Sequence, residues 1–140
     1  MTRRHKARRW VLQILYAWEV RSSDRDLREE AANLFDRRHI ASETRGFAEA
    51  IVDVLAEHLD ENDAHIEDAA SNWDVERLAV IDKNVLRIAV AEFLWLEDVP
   101  FKVTIDEAVT LAKRYGGSDS PRFVNGVLDA LARKLDLIPS

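Results

Sequence analysis

A chain of 140 residues, 47% hydrophobic and 33% charged, is long enough to bury one real core and too apolar for a disordered polymer. It has no Cys, which excludes disulfides and thiolate metal sites and fits a reducing, cytoplasmic setting; no stretch approaches the roughly 18 apolar residues of a membrane span. The net charge of −6 argues against nucleic acid, yet residues 1–18 carry Arg3, Arg4, Lys6, Arg8 and Arg9 with no acid, so +5 sits at the N-terminus and −11 on the rest.

The first segment predicts a helix from about Arg3 to Val20. Ala7, Val11, Ile14 and Trp18 recur at helical spacing, and Trp10 and Leu15 widen the stripe. Cations in the opening turns oppose the helix dipole, at about 0.3–1 kcal/mol each when exposed. A helix that keeps them uses the charge elsewhere, which marks residues 1–9 as a basic arm. Ser22-Ser23-Asp24 reads as a break, with Asp24 as N-cap of a second helix through about Arg37. Ser42 is the expected cap of a third, striped by Phe47, Ile51, Val54 and Leu55, and a short acidic helix or turn follows near Asp60–Ala70. Between Asp53 and Asp82 ten acids face one base, Arg77, and Asn72-Trp73-Asp74 reads as another break.

From about Arg77 to Leu96 the helical pattern is apolar on nearly every side, which belongs at the centre of a protein. Asp98-Val99-Pro100 ends it. Thr104-Ile105-Asp106-Glu107 has the form of a capping box that would open the next helix. Gly116-Gly117 stops that helix, and Ser120-Pro121 is expected to start the last one as N-cap and first helical residue. Its stripe is Val124, Val127, Leu128, Leu131 and Leu135. The expectation is an all-α fold of six to seven helices spanning 1–140 as one domain, built as two small helical bundles that share the central helix.

Little in this inventory supports catalysis. There is no Gly-rich phosphate loop, nucleophile elbow or paired-carboxylate motif, so neither enzymatic activity nor a cofactor is expected. His58, Glu61 and His65 match no metal-ligand spacing and read as solvated polar positions.

Two segments suit nucleic acid, RNA or DNA, better. In the arm, Arg3, Arg4, Lys6, Arg8 and Arg9 can pair with successive phosphates and release counterions. Downstream, Trp10 and Trp18 read as core, whereas the hydroxyl of Tyr16 suits a surface edge where a base could stack. The second segment runs from Tyr115 to Gly126. Tyr115 and Phe123 can stack, Arg122 can reach a phosphate, and Asn125 offers a donor and an acceptor to a base edge. Gly126 weakens its helix by about 1 kcal/mol relative to Ala, which points to close approach by another helix or a ligand. A plain helix–turn–helix corner would explain the caps and glycines, but Arg122 and Asn125 less well.

Four blocks resemble a known family: Arg3-Arg4-x-x-Ala7-Arg8 followed by Gln13-x-Leu15-Tyr16-x-Trp18; Leu86-Arg87-Ile88-Ala89-x-x-Glu92; Pro100-x-x-Val103-x-Ile105-x-Glu107-Ala108-x-x-Leu111-Ala112-Lys113; and Phe123-Val124-Asn125-Gly126-Val127-Leu128-Asp129. Together they resemble the NusB transcription antitermination factors over nearly the whole chain. The resemblance implies an all-α fold of two helical subdomains without catalytic activity. It further implies binding of single-stranded boxA RNA together with NusE, a small-subunit ribosomal protein, within an RNA polymerase elongation complex that reads through terminators in ribosomal RNA operons. Arg4, Lys6 and Arg8 match the family's basic arm and Tyr16 an aromatic at the edge between RNA and NusE. Tyr115, Asp119, Arg122, Phe123 and Asn125 match a second RNA-facing patch, and Glu76, Asp82 and Arg87 a NusE-facing region. His5 departs from a third consecutive arginine, and residues 20–75 carry little of the family pattern.

Two rival readings remain at this level. One is an RNA-targeting domain like those preceding some RNA cytosine methyltransferases, although these residues hold no methyltransferase-like βαβ segment. The other is a helical protein-interaction scaffold. Members of the family are monomers or homodimers, and a homodimer could cover the arm.

Overall fold

The computed structural model describes residues 2–21, 26–71, 77–96 and 98–138. They form six helices and no strand: α1 Arg3–Val20, α2 Leu27–Arg38, α3 Ser42–Ala69, α4 Val80–Trp95, α5 Phe101–Tyr115 and α6 Ser120–Lys134. The all-α expectation holds. The chain divides into two packed units, Met1–His58 and Leu59–Ser140.

The first unit holds α1, α2 and the N-terminal half of α3. α1 has the predicted bounds, and Thr2 caps it by accepting a hydrogen bond from the His5 N–H at 3.0 Å. Its inward stripe is Ala7, Val11, Ile14 and Leu15, all fully buried. Leu34 and Phe35 of α2 and Ile51 and Leu55 of α3 are buried as well, each such side chain contributing about 1.5–3 kcal/mol. Trp10 and Trp18, expected in the core, are only half-buried. α2 is capped by Asp26, whose carboxylate accepts from the Arg28 N–H at 2.8 Å. The expected cap, Asp24, lies outside the described residues, as do the expected breaks at 22–24 and 72–74. Glu29 and Glu30 in the first turn and Arg37 and Arg38 in the last complement the helix dipole. Arg28 ties α2 to α3 through Asp53 at 3.0 Å and Glu57 at 3.3 Å, and these carboxylates raise its pKa above the ordinary value.

The short acidic helix expected near Asp60–Ala70 is instead the continuation of α3, which starts at Ser42 and reaches Ala69. Its physical basis is the lack of any Gly or Pro between Gly46 and Pro100. His58 alone has non-helical angles (φ −125°, ψ 25°), and the two units divide there. The helix shared between the units is therefore α3, not the apolar segment after Arg77.

In the second unit that apolar segment becomes α4, shorter than expected, with every residue from Lys83 to Phe93 buried. α4 packs on α5 and α6, and α5 on α6, with Ala108, Leu111, Ala112, Val124, Leu128 and Leu131 in the core. Two of the buried polar groups are tied across helices. Arg87 forms a two-point pair with Asp63 of α3, and the Thr104 hydroxyl donates to Glu92 at 2.9 Å. This second contact overturns the capping box at Thr104. α5 begins three residues earlier, behind Pro100, and Thr104 is a buried interior residue whose hydroxyl satisfies a buried carboxylate.

Candidate nucleic-acid interface

The arm is the N-terminal half of α1, and helical geometry splits its charges between two faces. Lys6, Gln13 and Tyr16 are exposed, and with half-buried Arg9 they recur every three or four residues along one outward face. Tyr16 is 50% exposed, so a cation stripe ends on an open aromatic ring. Arg4 and Arg8, four residues apart, lie on the other side, with guanidiniums 4.7 and 5.2 Å from the ring centre of Phe47 in α3. Arg3 is exposed and ion-paired with Glu43. Of the five predicted arm contacts, Arg8 departs most from expectation. It is 2% exposed, because its position one turn after Arg4 on the inward face points it at α3 rather than at solvent.

The second patch is the corner between α5 and α6, within the second unit. Tyr115, at 40% exposure, ends α5, and Gly116 caps it in extended backbone. A Cβ on Gly116 would lie 2.5 Å from Ser120 Oγ and 2.8 Å from the Ala112 carbonyl, so only glycine fits the corner. Asp119, not Ser120, is the N-cap of α6, and Ser120 and Pro121 are already helical. Ser120 is buried, and its hydroxyl accepts from the Gly117 N–H at 3.0 Å, which fixes the turn. The expected order of cap and first residue is thus shifted back by one. On α6, Arg122, Asn125 and Gly126 are exposed along one face, and Phe123 is half-buried. Outside its own helix, none of the described residues comes within 4 Å of where a Cβ on Gly126 would stand, so no other described helix accounts for that glycine.

A cleft of about 530 Å³ links this corner to the start of α4. Arg77, Leu78, Ala79 and Asp82 form one wall, and Gly117, Ser118, Asp119, Ser120 and Phe123 the other. One expected NusE-facing residue, Asp82, therefore shares a cavity with two expected RNA-facing residues, Asp119 and Phe123. Asp82 Oδ1 is buried without a hydrogen-bond partner among the described residues, which leaves an acceptor for an incoming donor. Arg87 is elsewhere: its side chain is 4% exposed and held by Asp63, so the guanidinium braces α4 against α3 and is not offered to a partner. Glu76 lies outside the described residues.

Sequence reasoning missed three contributors. Phe47 reads as one more core position, but its side chain is only half-buried and lies beneath two arginines. Arg114 is exposed, with its guanidinium 5.5 Å from the Tyr115 ring centre, adding a cation to the corner. Asp63 is the partner that draws Arg87 inward; neither its spacing nor its type distinguishes it from the acids around it. Among the described residues, no helix is long and apolar enough to cross a membrane, and no three His, Asp or Glu side chains converge as metal ligands.

Comparison with known proteins places these features in context. The sequence model described as the NusB family matches residues 5–133. The chain is 38% identical to the transcription antitermination protein NusB of Thermodesulfovibrio yellowstonii, over 94% of this chain and 93% of that one. The fold matches a solved structure of T. maritima NusB with a TM-score of 0.87 at 37% identity, covering 94% of this chain and 91% of the other. It also matches a chain from a crystal structure of the antitermination factors NusB and NusE in complex with double-stranded RNA, with a TM-score of 0.85 at 28% identity, over 96% and 98% of the two chains.

Proposed function

The chain belongs to the NusB family, and on that footing we propose that it is a non-catalytic antitermination factor that binds RNA together with NusE. Its RNA is a single-stranded boxA-like segment, and the complex acts on the elongating RNA polymerase to favour readthrough in ribosomal RNA operons. The observation that carries this reading is the outward face of α1, where Lys6 and Arg9 lead to the open ring of Tyr16. Cations there supply salt-dependent attraction, and an exposed aromatic favours unpaired bases over a closed duplex. In the second unit, Tyr115, Arg122, Phe123 and Asn125 supply the same combination of charge, stacking and base-edge groups. The likeness to a NusB–NusE–RNA complex supports both partners. The cleft with Asp82 supports a place for NusE, since its unpartnered carboxylate oxygen suits a donor from a protein chain.

The test is fluorescence anisotropy with a single-stranded boxA oligonucleotide, a scrambled strand and the boxA duplex, each with and without NusE. The single-stranded boxA strand should bind tightest, more so with NusE. Replacing Lys6 and Arg9 by Ala should weaken binding of every strand and flatten the salt dependence by about 0.7 per lost phosphate contact. Equal binding of boxA and scrambled strands in the presence of NusE would sink the sequence-specific part. Tighter binding of the duplex would replace the single-stranded ligand by a double-stranded one.

A further inference from the structure

Glu43 and Phe47 stand one turn apart on α3, and side chains from the opening turns of α1 reach both. Arg3 pairs with Glu43, while Arg4 and Arg8 sit over the Phe47 ring at 4.7 and 5.2 Å. These turns need such support. They carry five cations against the helix dipole and no acid, with Thr2 as the side-chain cap. Arg4 and Arg8 also repel each other at their i, i+4 spacing. An aromatic ring attracts both cations through its quadrupole and fixes the plane in which each guanidinium lies. Arg8 is buried by this packing, whereas Arg4 is exposed, so the ring anchors one arginine inside and orients the other at the surface.

We propose that Phe47 is a positioning residue for RNA binding. It holds Arg4, and with Arg4 the first turns of α1, in the geometry that meets the RNA backbone, so little side-chain entropy is left to lose on binding. This rests on the reading of the arm as RNA-binding. The ring acts through the arginine; it is not itself assigned a contact with RNA.

The experiment compares the intact protein with Arg4→Ala, Phe47→Leu, Phe47→Tyr and the double variant Arg4→Ala/Phe47→Leu. Each is titrated against one fixed single-stranded RNA oligonucleotide at constant salt, with thermal melting to check the fold. Phe47→Met serves as the ringless variant should Leu lower the melting temperature. Arg4→Ala and Phe47→Leu should each weaken binding by about 3- to 10-fold, and the double variant should be little weaker than either. Phe47→Tyr, which keeps the ring, should bind as the intact protein does. Two losses that multiply in the double variant, or a Phe47→Leu variant that binds normally while Arg4→Ala does not, overturn the positioning role. Should Arg4→Ala itself bind normally, the role of Phe47 falls, whereas the reading of the arm falls only if replacing Lys6 and Arg9 by Ala also leaves binding unchanged.

Discussion

Arg87 and Asp63 face each other across α4 and α3 as a fork on a fork, with Nε–Oδ1 at 2.9 Å and Nη2–Oδ2 at 2.8 Å. The same guanidinium donates to Asn84 Oδ1 at 3.1 Å, and Asn62 donates to the Arg87 carbonyl at 3.2 Å. A buried pair of this kind adds little over a well-packed apolar pair, but breaking it leaves a charge without a partner. Asp63→Ala should therefore destabilise the protein by about 3 kcal/mol, at the low end because the Asp63 side chain keeps 17% exposure. Urea denaturation checks this. A variant as stable as the intact protein would show that Arg87 finds another partner and is not a brace.

Two glycines at the second patch should respond in opposite ways to one added methyl group. Gly116→Ala puts a carbon 2.5 Å from Ser120 Oγ and 2.8 Å from a backbone carbonyl, and the turn that would have to shift is fixed by the Gly117–Ser120 bond. A loss of about 1–3 kcal/mol is expected. Gly126→Ala meets open space inside a helix and should gain up to about 1 kcal/mol. If RNA approaches α6 at that point, the stabilised variant should bind it more weakly. Melting temperatures together with RNA titrations separate the two effects.

Lys134 reaches back from the end of α6 to Asp68 at 2.7 Å, and its hydrogen bond, followed by its charge, holds the Asp68 carboxyl below its ordinary value. The folded pKa is depressed, so the contribution to stability is present above about pH 4, the unfolded carboxylate value, and is lost as pH falls through the native one. Both groups are exposed, so the effect is small and weakens with salt. In Lys134→Met the Asp68 carboxyl should titrate at higher pH, as followed by NMR of its carboxyl carbon. An unchanged titration would mean that the pair does not persist in solution.

The fold was legible wherever one helix carried its own explanation. α1 has its predicted ends because its stripe, its cap and the absence of breakers all lie within it. Boundaries went astray where the signal had two uses. Thr104 and Glu107 fit a capping box, yet Thr104 is needed by Glu92 on another helix, and Pro100 can open α5 instead. The acidic run after Asp53 looked like a separate short helix because its polarity hides the stripe that ends in Ile66, fully buried.

The sequence alone determined that the chain is helical, that its positive charge is concentrated at one end, and that aromatic and base-edge groups surround the corner before α6. Periodicity, net charge and turn residues are local quantities, so one chain suffices to read them. Only the tertiary structure decided which charges serve which purpose. It buried Arg8 over Phe47, drew Arg87 onto Asp63, left Lys6 outside, and joined Asp82 to Asp119 and Phe123 around one cleft. An arginine on a helix can turn to solvent or to a neighbouring ring or carboxylate. The choice depends on a partner far away in sequence, which residue type and spacing do not reveal.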